Sequence, residues 1–216
     1  MSENYLGCTI PKLGFGLMRL PQKDGIIDVE QVKKMADHFM AKGFTYFDTA
    51  YVYGGGASEL AAKEAIVSRF PRESFQLADK LPVIDIKKEE DMEAFVQTSL
   101  ERTGAGYFDF YLLHSLNASK VEICDKFNAW DYMLKFKERG IAKHVGFSFH
   151  DSAEVLDRTL TDHPEMEFVQ LQINYADWDS ANVQSRACYE VARKHNKPVL
   201  IMEPVKGGSL ATMTPD

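Results

Sequence analysis

The sequence contains few cysteines, and their spacing does not pair them. Its 216 residues include three cysteines, Cys8, Cys124 and Cys188, which lie far apart and form no Cys-x-x-Cys motif. Such spacing indicates neither a disulfide framework nor a structural zinc site. We therefore expect three separate thiols and no bound metal.

Long hydrophobic runs are also missing. No stretch approaches the roughly 18 consecutive apolar residues that a membrane-spanning helix needs. The first residues, MSENYLGCTIPK, lack the charged-then-apolar order of a secretory signal. The sequence therefore predicts a cytoplasmic protein with no membrane partner.

An excess of basic residues is absent as well. Lysine and arginine together number 25 against 32 acidic residues, which gives a net charge of −7, and the basic side chains form no stripe. This distribution predicts no nucleic-acid partner. Because 45% of the residues are hydrophobic, we expect one domain over residues 1–216 with a substantial core.

Short β-like segments alternate with amphipathic helical segments along the whole chain, which is typical of a parallel sheet flanked by helices. The predicted strands are residues 14–20, 44–48, 75–80, 108–114, 142–147, 168–173 and 198–202. The predicted helices are residues 29–42 (ending at Gly43), 58–69 (with Ser58 as N-cap), 89–103, 121–139 (ending at Gly140), 153–161 and 181–195.

Seven strands of one polarity favour an α/β fold of the (β/α)8 TIM-barrel type. A doubly wound sheet is disfavoured because no Gly-x-Gly-x-x-Gly motif follows an early strand. A barrel needs eight strands and about 250 residues, whereas this chain ends at Asp216. We therefore expect a barrel truncated after strand seven and incomplete at its C-terminus. Since unpaired strand edges favour association, we also expect a homodimer that covers the opening.

Four polar residues lie at or just after the predicted ends of three consecutive strands: Asp48, Tyr53, Lys80 and His114. Active sites of parallel barrels form at these strand ends, and neighbouring strands lie about 4.8 Å apart. A nearby ammonium would lower the pKa of the tyrosine, and a carboxylate would keep the lysine charged. With a neutral histidine to orient a carbonyl oxygen, this set predicts a proton donor for carbonyl reduction.

The same residues carry a resemblance to a known family. Phe47-Asp48-Thr49-Ala50-x-x-Tyr53-Gly54, then Ser58-Glu59, Lys80 and Leu112-Leu113-His114 resemble the signature of the aldo-keto reductases. The resemblance covers essentially the whole chain. It implies a barrel, NADPH as cofactor with NADH as the alternative, and reduction of aldehydes or ketones, with Tyr53 as general acid and a small carbonyl substrate.

The resemblance also implies cofactor-binding positions. Arg19 is expected near the pyrophosphate, and Ser148 and Gln172 are expected to hold the nicotinamide carboxamide. The turn that begins at Met202 is expected along the ribose and phosphates. The full set is Met18, Arg19, Asp48, Ser148, Gln172, Met202, Glu203, Pro204, Val205, Lys206 and Gly207.

Two positions depart from the common form of the family. Phe149 stands where an asparagine often follows the serine, and Met202 stands where an aromatic residue often stacks on the nicotinamide. The segments GFSFH (146–150) and MEPVKGG (202–208) resemble a bacterial branch whose longer members append a cysteine-rich iron–sulfur segment. In the family, the eighth strand and the helix after it supply the basic residues that bind the adenosine 2′-phosphate, and no residue of this chain is assigned to them.

Two other functions remain open at this stage. A metal-dependent barrel hydrolase could use Asp48, His114, His150 and Glu203 as ligands, although the first strand lacks a His-x-His motif. A catalytically inactive or cofactor-sensing barrel could keep the four polar residues without turnover.

Overall fold

The fold is described for residues 4–6 and 8–211 by a computed structural model. Seven parallel strands form one sheet, ordered β7-β6-β5-β4-β3-β2-β1. These strands are β1 (Gly14–Gly16), β2 (Tyr46–Asp48), β3 (Gln76–Leu81), β4 (Phe108–Leu116), β5 (Ala142–Phe149), β6 (Phe168–Gln172) and β7 (Val199–Met202). Within the described residues neither β1 nor β7 pairs with a further strand.

The sheet curls into an open barrel. Asp48 on β2 is hydrogen-bonded to Gln170 on β6, although four strand spacings, about 19 Å in a flat sheet, separate the two strands. A small cluster fills the interior below this bond: Tyr46, Ala78, Phe110, Leu112 and Phe168. The seven-stranded barrel predicted from the alternation of elements is therefore confirmed.

Helices cover the outer face of the sheet, and the larger core lies between the two layers. They are α1 (Val29–Ala41), α2 (Ala57–Ala62), α3 (Glu90–Thr103), α4 (Ala118–Lys126), α5 (Ala129–Glu138), α6 (Ala153–Asp162) and α7 (Ser185–Lys194). Two short antiparallel ladders, Asn4–Tyr5 with Cys8–Thr9 and Gln22–Lys23 with Ile26–Ile27, lie outside the barrel sheet. Among the helices of the described residues, none has the length and hydrophobicity of a transmembrane span.

Several helix ends follow local chemistry. The Asp28 side chain accepts a hydrogen bond from the backbone of Gln31 and begins α1. Gly43, just after α1, has φ +82°, the left-handed conformation that ends a helix and that glycine adopts without strain. Asn117 and Ser152 begin α4 and α6 in the same way as Asp28.

The predicted N-cap at Ser58 is wrong. Gly56 takes the cap position of α2, and Lys63–Val67 continues the helix as a π-turn. The Ser58 hydroxyl is buried, bonds to the Thr49 hydroxyl and donates to the carbonyl of Leu17. It therefore ties α2 to the strand ends instead of capping a helix.

Three predicted elements are shorter or divided. β1 ends at Gly16, because its partner β2 ends at Asp48 in register with it. The helix predicted over 121–139 is two helices, α4 and α5, separated where Asn128 adopts φ +54°. The helix predicted over 181–195 begins at Ser185, since residues 177–184 form consecutive turns.

Candidate active site

The four polar residues predicted as catalytic converge at the carboxyl ends of β2, β3 and β4. Asp48 is the last residue of β2, and Lys80 and His114 lie near the ends of β3 and β4. Tyr53 begins the short helical turn Tyr53–Gly56 that leads into α2. Successive strands of the barrel thus bring together residues 66 positions apart in sequence.

Lys80 is the centre of this group. Its Nζ donates to Asp48 Oδ1 at 2.5 Å, to the Thr49 carbonyl at 2.7 Å and to the Tyr53 hydroxyl at 3.2 Å. The Lys80 side chain is only 1% exposed. All three ammonium protons are therefore used, and the phenol and the carboxylate are held on one cation.

Burial by itself would lower the pKa of Lys80, but Asp48 and Tyr53 outweigh it and raise this pKa above its ordinary value. Lys80 is therefore charged at neutral pH. The carboxylate performs the role expected from the sequence, because it holds the ammonium in its protonated form.

The expectation that Lys80 lowers the pKa of Tyr53 is wrong for the net effect. Burial raises the pKa of Tyr53 and outweighs the lowering by the Lys80 ammonium, and Asp48 adds a further increase. The physical reason is the balance of two free energies. Desolvation of the phenolate costs more than its attraction to the Lys80 ammonium recovers, because that ammonium is already paired with a carboxylate. Tyr53 is therefore fully protonated at neutral pH.

His114 packs against Tyr53, with ring centroids 5.6 Å apart in an edge-to-face arrangement. Burial lowers the pKa of His114 to about 3, and the positive charges of Lys80 and Lys120 add to the decrease. The imidazole is neutral at physiological pH, as the sequence predicted. A neutral ring can donate one hydrogen bond to an oxygen atom beside Tyr53.

Sequence reasoning missed Gln170. This residue of β6 points into the barrel, and its Nε2 donates to Asp48 Oδ2 at 2.9 Å. The carboxylate accepts only, so the nitrogen side of the amide faces it. Alternation along β6 placed Gln170 on the interior face, but only the curl of the sheet shows that this face reaches Asp48.

Ser148 and Gln172, the residues predicted to hold a carboxamide, lie at the ends of neighbouring strands. The Ser148 hydroxyl accepts the backbone N–H of Ser115 at 2.7 Å, and Gln172 Nε2 donates to Asp177 Oδ2 at 3.0 Å. The Ser148 proton and the Gln172 carbonyl oxygen are left for other partners. One donor beside one acceptor is the complement of a primary amide.

The predicted phosphate-side residues are brought together by an ion pair. Arg19 Nη1 lies 2.8 Å from Glu203 Oε1, and an added Cβ at Gly207 would lie 3.2 Å from the Arg19 guanidinium. Lys206 reaches Asp177 at 2.7 Å, so the carboxylate of Asp177 joins Gln172 to the turn. Sequence reasoning also missed Asp177.

The remaining predicted cofactor residues lie along the same face. Met202 ends β7 in register with Gln172. Met18 is exposed beside Arg19, and the turn after β7 presents an exposed run formed by Pro204, Val205, Lys206 and Gly207. The structure therefore gathers the predicted set into one strip that starts at the four polar residues and runs past β6 and β7 to the end of β1. These four residues, Asp48, Tyr53, Lys80 and His114, are called the tetrad below.

The metal-ligand set considered as an alternative is not assembled. Asp48 is bonded to Lys80 and Gln170, and Glu203 is paired with Arg19. His150 lies at the surface. Within residues 4–6 and 8–211 no three histidine, cysteine or acidic side chains are close enough together to hold a metal ion.

A cavity of about 140 Å³ lies beside this strip, lined by residues that include Phe149, His150, Gln172 and Cys188. It contains none of the four tetrad residues and is smaller than the roughly 300 Å³ of typical ligand pockets. The open strip is therefore the better candidate for a large ligand.

Comparison with known proteins matches residues 12–215 to the model of the Aldo/keto reductase family. A "Probable aldo-keto reductase 1" from Glycine max is 31% identical over 188 residues, which cover 80% of this chain and 50% of that protein. The rat 3-alpha-hydroxysteroid dehydrogenase is 29% identical over 165 residues, which cover 66% of this chain and 48% of that protein. The chain spans about half the length of these curated relatives.

Solved structures share the fold. The aldo-keto reductase of Klebsiella pneumoniae in complex with NADPH matches with a TM-score of 0.73 and 21% identity, over 98% of this chain and 70% of that chain. An aldo/keto reductase from Brucella melitensis matches with a TM-score of 0.69 and 25% identity, over 93% and 71%. The barrel type predicted from the sequence is confirmed.

Proposed function

Since the chain belongs to the aldo/keto reductase family, we propose that its site reduces aldehydes or ketones to alcohols, with hydride from NADPH and a proton from Tyr53. NADH is the alternative hydride donor. The observation that carries the proposal is the single Lys80 ammonium that bonds both Asp48 and the Tyr53 hydroxyl. This arrangement supplies a positioned acid and a fixed positive charge where an alkoxide would form.

Each residue of the tetrad has one role in this proposal. Tyr53 holds the proton at its hydroxyl oxygen, and its raised pKa keeps that proton in place at neutral pH. Lys80 stabilises the phenolate left behind, and Asp48 prevents Lys80 from losing its own proton. Neutral His114 donates a hydrogen bond that orients the carbonyl oxygen towards Tyr53.

The residues present fit a reduced nicotinamide dinucleotide. The Ser148 hydroxyl proton and the Gln172 carbonyl oxygen match a carboxamide, as their other bonds leave those atoms available. Arg19 is 56% exposed and offers a cation to a pyrophosphate. When bound there, the nicotinamide supplies hydride to the carbonyl carbon. The solved Klebsiella pneumoniae structures in complex with NADPH, and with NADP and acetate, support this choice of cofactor.

The test is a titration of the purified 216-residue chain with NADPH and NADH, followed by addition of a reactive aldehyde. We expect saturable cofactor binding and oxidation of the cofactor. Tyr53→Phe should bind the cofactor equally well and lose activity about 100-fold or more, because a positioned general acid contributes about 10²- to 10⁴-fold.

Tyr132→Phe on α5 is the matched control and should behave as the parent. Cofactor binding without turnover in the parent would support the sensing barrel and contradict the reductase. No binding at millimolar cofactor would contradict the cofactor assignment itself.

A homodimer is the partner proposed for the open side of the barrel. The edge strand β7 exposes the apolar side chain of Ile201 (56%). Unpaired backbone groups and apolar side chains on one edge favour association. A second copy of this chain supplies the same edge and needs no other component.

A further inference from the structure

A second group of buried polar residues lies on the outer face of the sheet, directly behind the tetrad. Asp79 precedes Lys80 on β3, so its side chain points outward to the helices while that of Lys80 points into the barrel. Glu59 on α2 meets Asp79 there, and both residues are 0% exposed. Neither belongs to the proposed catalytic set.

Each carboxyl group has one oxygen with a donor and one without. Asp79 Oδ1 accepts the backbone N–H of Lys80 at 2.7 Å, and Glu59 Oε2 accepts from Arg102 Nη1 at 2.9 Å. Asp79 Oδ2 and Glu59 Oε1 are buried and receive no hydrogen bond from any donor group. The two carboxyl groups nevertheless act on each other, since the charge of Glu59 and side-chain hydrogen bonding with it both raise the pKa of Asp79. Two acceptors in contact need one proton between them.

The surroundings do not supply a second cation. The Lys80 ammonium bonds Asp48 inside the barrel, and Arg102 forms an ion pair with Glu59 while it also donates to the Tyr51 carbonyl. The titratable groups that face the pair are Tyr51 and Tyr53 of the loop, Lys80 on β3, Arg102 on α3 and Tyr111 on β4. Burial, followed by the charge of Glu59, raises the pKa of Asp79 well above its ordinary value. Two buried, ionised carboxylates beside one arginine would leave one negative charge uncompensated.

We propose that Asp79 keeps its proton at neutral pH and donates it from Oδ2 to Oε1 of Glu59, and that this bond fastens α2 to β3. Asp79 and Glu59 are then positioning residues for Tyr53. The loop between Tyr53 and α2 contains Gly54, Gly55 and Gly56, all at positive φ, so the loop has little stiffness of its own.

Arg102 on α3 adds contacts on the outer side of this pair. Its guanidinium lies 4.6 Å from the centre of the Tyr51 ring, and an added Cβ at Gly56 would lie 2.7 Å from its Nη1. These contacts therefore connect α3 to Glu59 and Glu59 to Asp79, which is the residue before Lys80. They hold the Tyr53 loop against the strand that carries its hydrogen-bond partner.

The test compares the parent with Asp79→Asn, Asp79→Ala and Asp109→Asn by urea unfolding between pH 5 and 9. Asparagine imitates the protonated acid, since its nitrogen donates to Glu59 and its oxygen accepts from Lys80. The unfolded parent releases the Asp79 proton above about pH 4, whereas the folded parent keeps it. The folding constant of the parent relative to Asp79→Asn should therefore fall as pH rises, by up to tenfold per pH unit until the folded-state pKa is reached.

Asp109→Asn is the matched control, since Asp109 is also buried, on β4, but is bonded to Arg72 and Lys143. The Asp109→Asn variant should be less stable than the parent throughout this range. Its stability relative to the parent should not increase with pH. A pH-independent difference for Asp79→Asn would overturn the proposal. So would an Asp79→Asn variant that is as unstable as Asp79→Ala at pH 8.

Infrared spectroscopy gives a direct readout. The parent at pH 7 should show the carbonyl stretch of a protonated carboxylic acid, and Asp79→Asn should lack it. Absence of the band in the parent would overturn the assignment of the proton. Neither this measurement nor the unfolding test depends on the proposed reductase activity.

The positioning role itself rests on the proposed function and is tested by kinetics. Asp79→Ala should lower kcat while leaving the cofactor dissociation constant within about twofold of the parent, and Asp79→Asn should restore kcat. An equal loss of kcat in both variants would contradict the positioning role. If the parent has no activity, the unfolding and infrared results still decide where the proton lies.

Discussion

Gln170 and Asp48 form a hydrogen bond across the barrel interior, and no sequence motif indicates this pair. The Gln170 side chain is buried, and its Oε1 lies without a hydrogen-bond partner while its Nε2 serves Asp48. An unpartnered buried oxygen lowers stability. The amide nevertheless keeps this orientation because the Asp48 carboxylate can only accept a hydrogen bond, so the amide nitrogen must face it. Asp48 consequently presents one oxygen to Lys80 and the other to Gln170, which fixes the direction of its ion pair.

Gln170→Glu tests this residue-scale interpretation. The variant places a second carboxyl group against Asp48, and it can donate a hydrogen bond only when it is protonated. We expect a loss of at least about 2 kcal/mol in the free energy of unfolding at pH 8, and a smaller loss at pH 5, measured by urea unfolding. The sign follows from a raised folded-state pKa, whose stabilisation is lost as pH rises.

The control for this variant is Gln97→Glu on α3, where the exposed amide donates to Glu93 one turn earlier. A like charge at that spacing costs about 0.2–0.5 kcal/mol. If Gln170→Glu were as mild as this control and independent of pH, the bond across the barrel would not contribute as described.

At the scale of elements, the spacing between β5 and β6 depends on one glycine. Gly146 lies opposite Phe168 in the parallel register of these strands. A Cβ at position 146 would lie 2.3 Å from the Phe168 carbonyl oxygen and 2.9 Å from its ring. The backbone cannot yield as a side chain would, because it belongs to the ladder that carries Ser148 and Gln170.

Gly146→Ala should therefore lower the free energy of unfolding by about 2–3 kcal/mol, as measured by urea unfolding. Gly16→Ala on the edge strand β1 is the matched control, because an added Cβ there meets nothing within 4 Å. The control should change stability by no more than about 0.5 kcal/mol. Equal effects of the two substitutions would mean that the close approach of β5 and β6 is not what demands glycine.

At the scale of the whole molecule, the barrel has two free edges in the described residues. Since the chain spans about half the length of its curated relatives, the single domain expected over residues 1–216 stays a prediction. The open side exposes the apolar side chain of Ile201 on β7. This apolar residue on an unpaired edge strand is the basis for the proposed homodimer.

Ile201→Lys places a charge in the middle of β7 and should shift the chain from dimer to monomer at equal concentration, as measured by analytical ultracentrifugation. Lysine on an edge strand opposes edge-to-edge pairing. The control is Ile84→Lys, since Ile84 is similarly exposed at 54% but follows β3, away from both edges. A parent that sediments as a monomer, or a dimer that Ile201→Lys leaves intact, would contradict the assignment.

Sequence alone sufficed for the strand order and for the convergence of the four polar residues; their catalytic roles stay a prediction. Buried strands alternate with helices, and Asp48, Tyr53, Lys80 and His114 follow strand ends, which in a parallel barrel must meet at one rim. The strip of residues proposed to bind the cofactor continues along the same strand ends, so its place in the barrel was also predictable in outline. Segments were less predictable where tertiary contacts replace local signals, as at Ser58, whose hydroxyl is used by Leu17 and Thr49 instead of a helix end.

The contacts of each side chain, and the free energy of burying it, follow from the packing of the layers and cannot be read from the sequence. The curl of the sheet brings Gln170 to Asp48, and burial, which no local pattern reveals, raises the pKa of Tyr53 against the pull of Lys80. The contact between Asp79 and Glu59 likewise depends on how α2 packs on β3. Local patterns determine which face of an element a residue occupies, whereas desolvation and pairing depend on atoms that are distant in sequence and are set only when the layers close on one another.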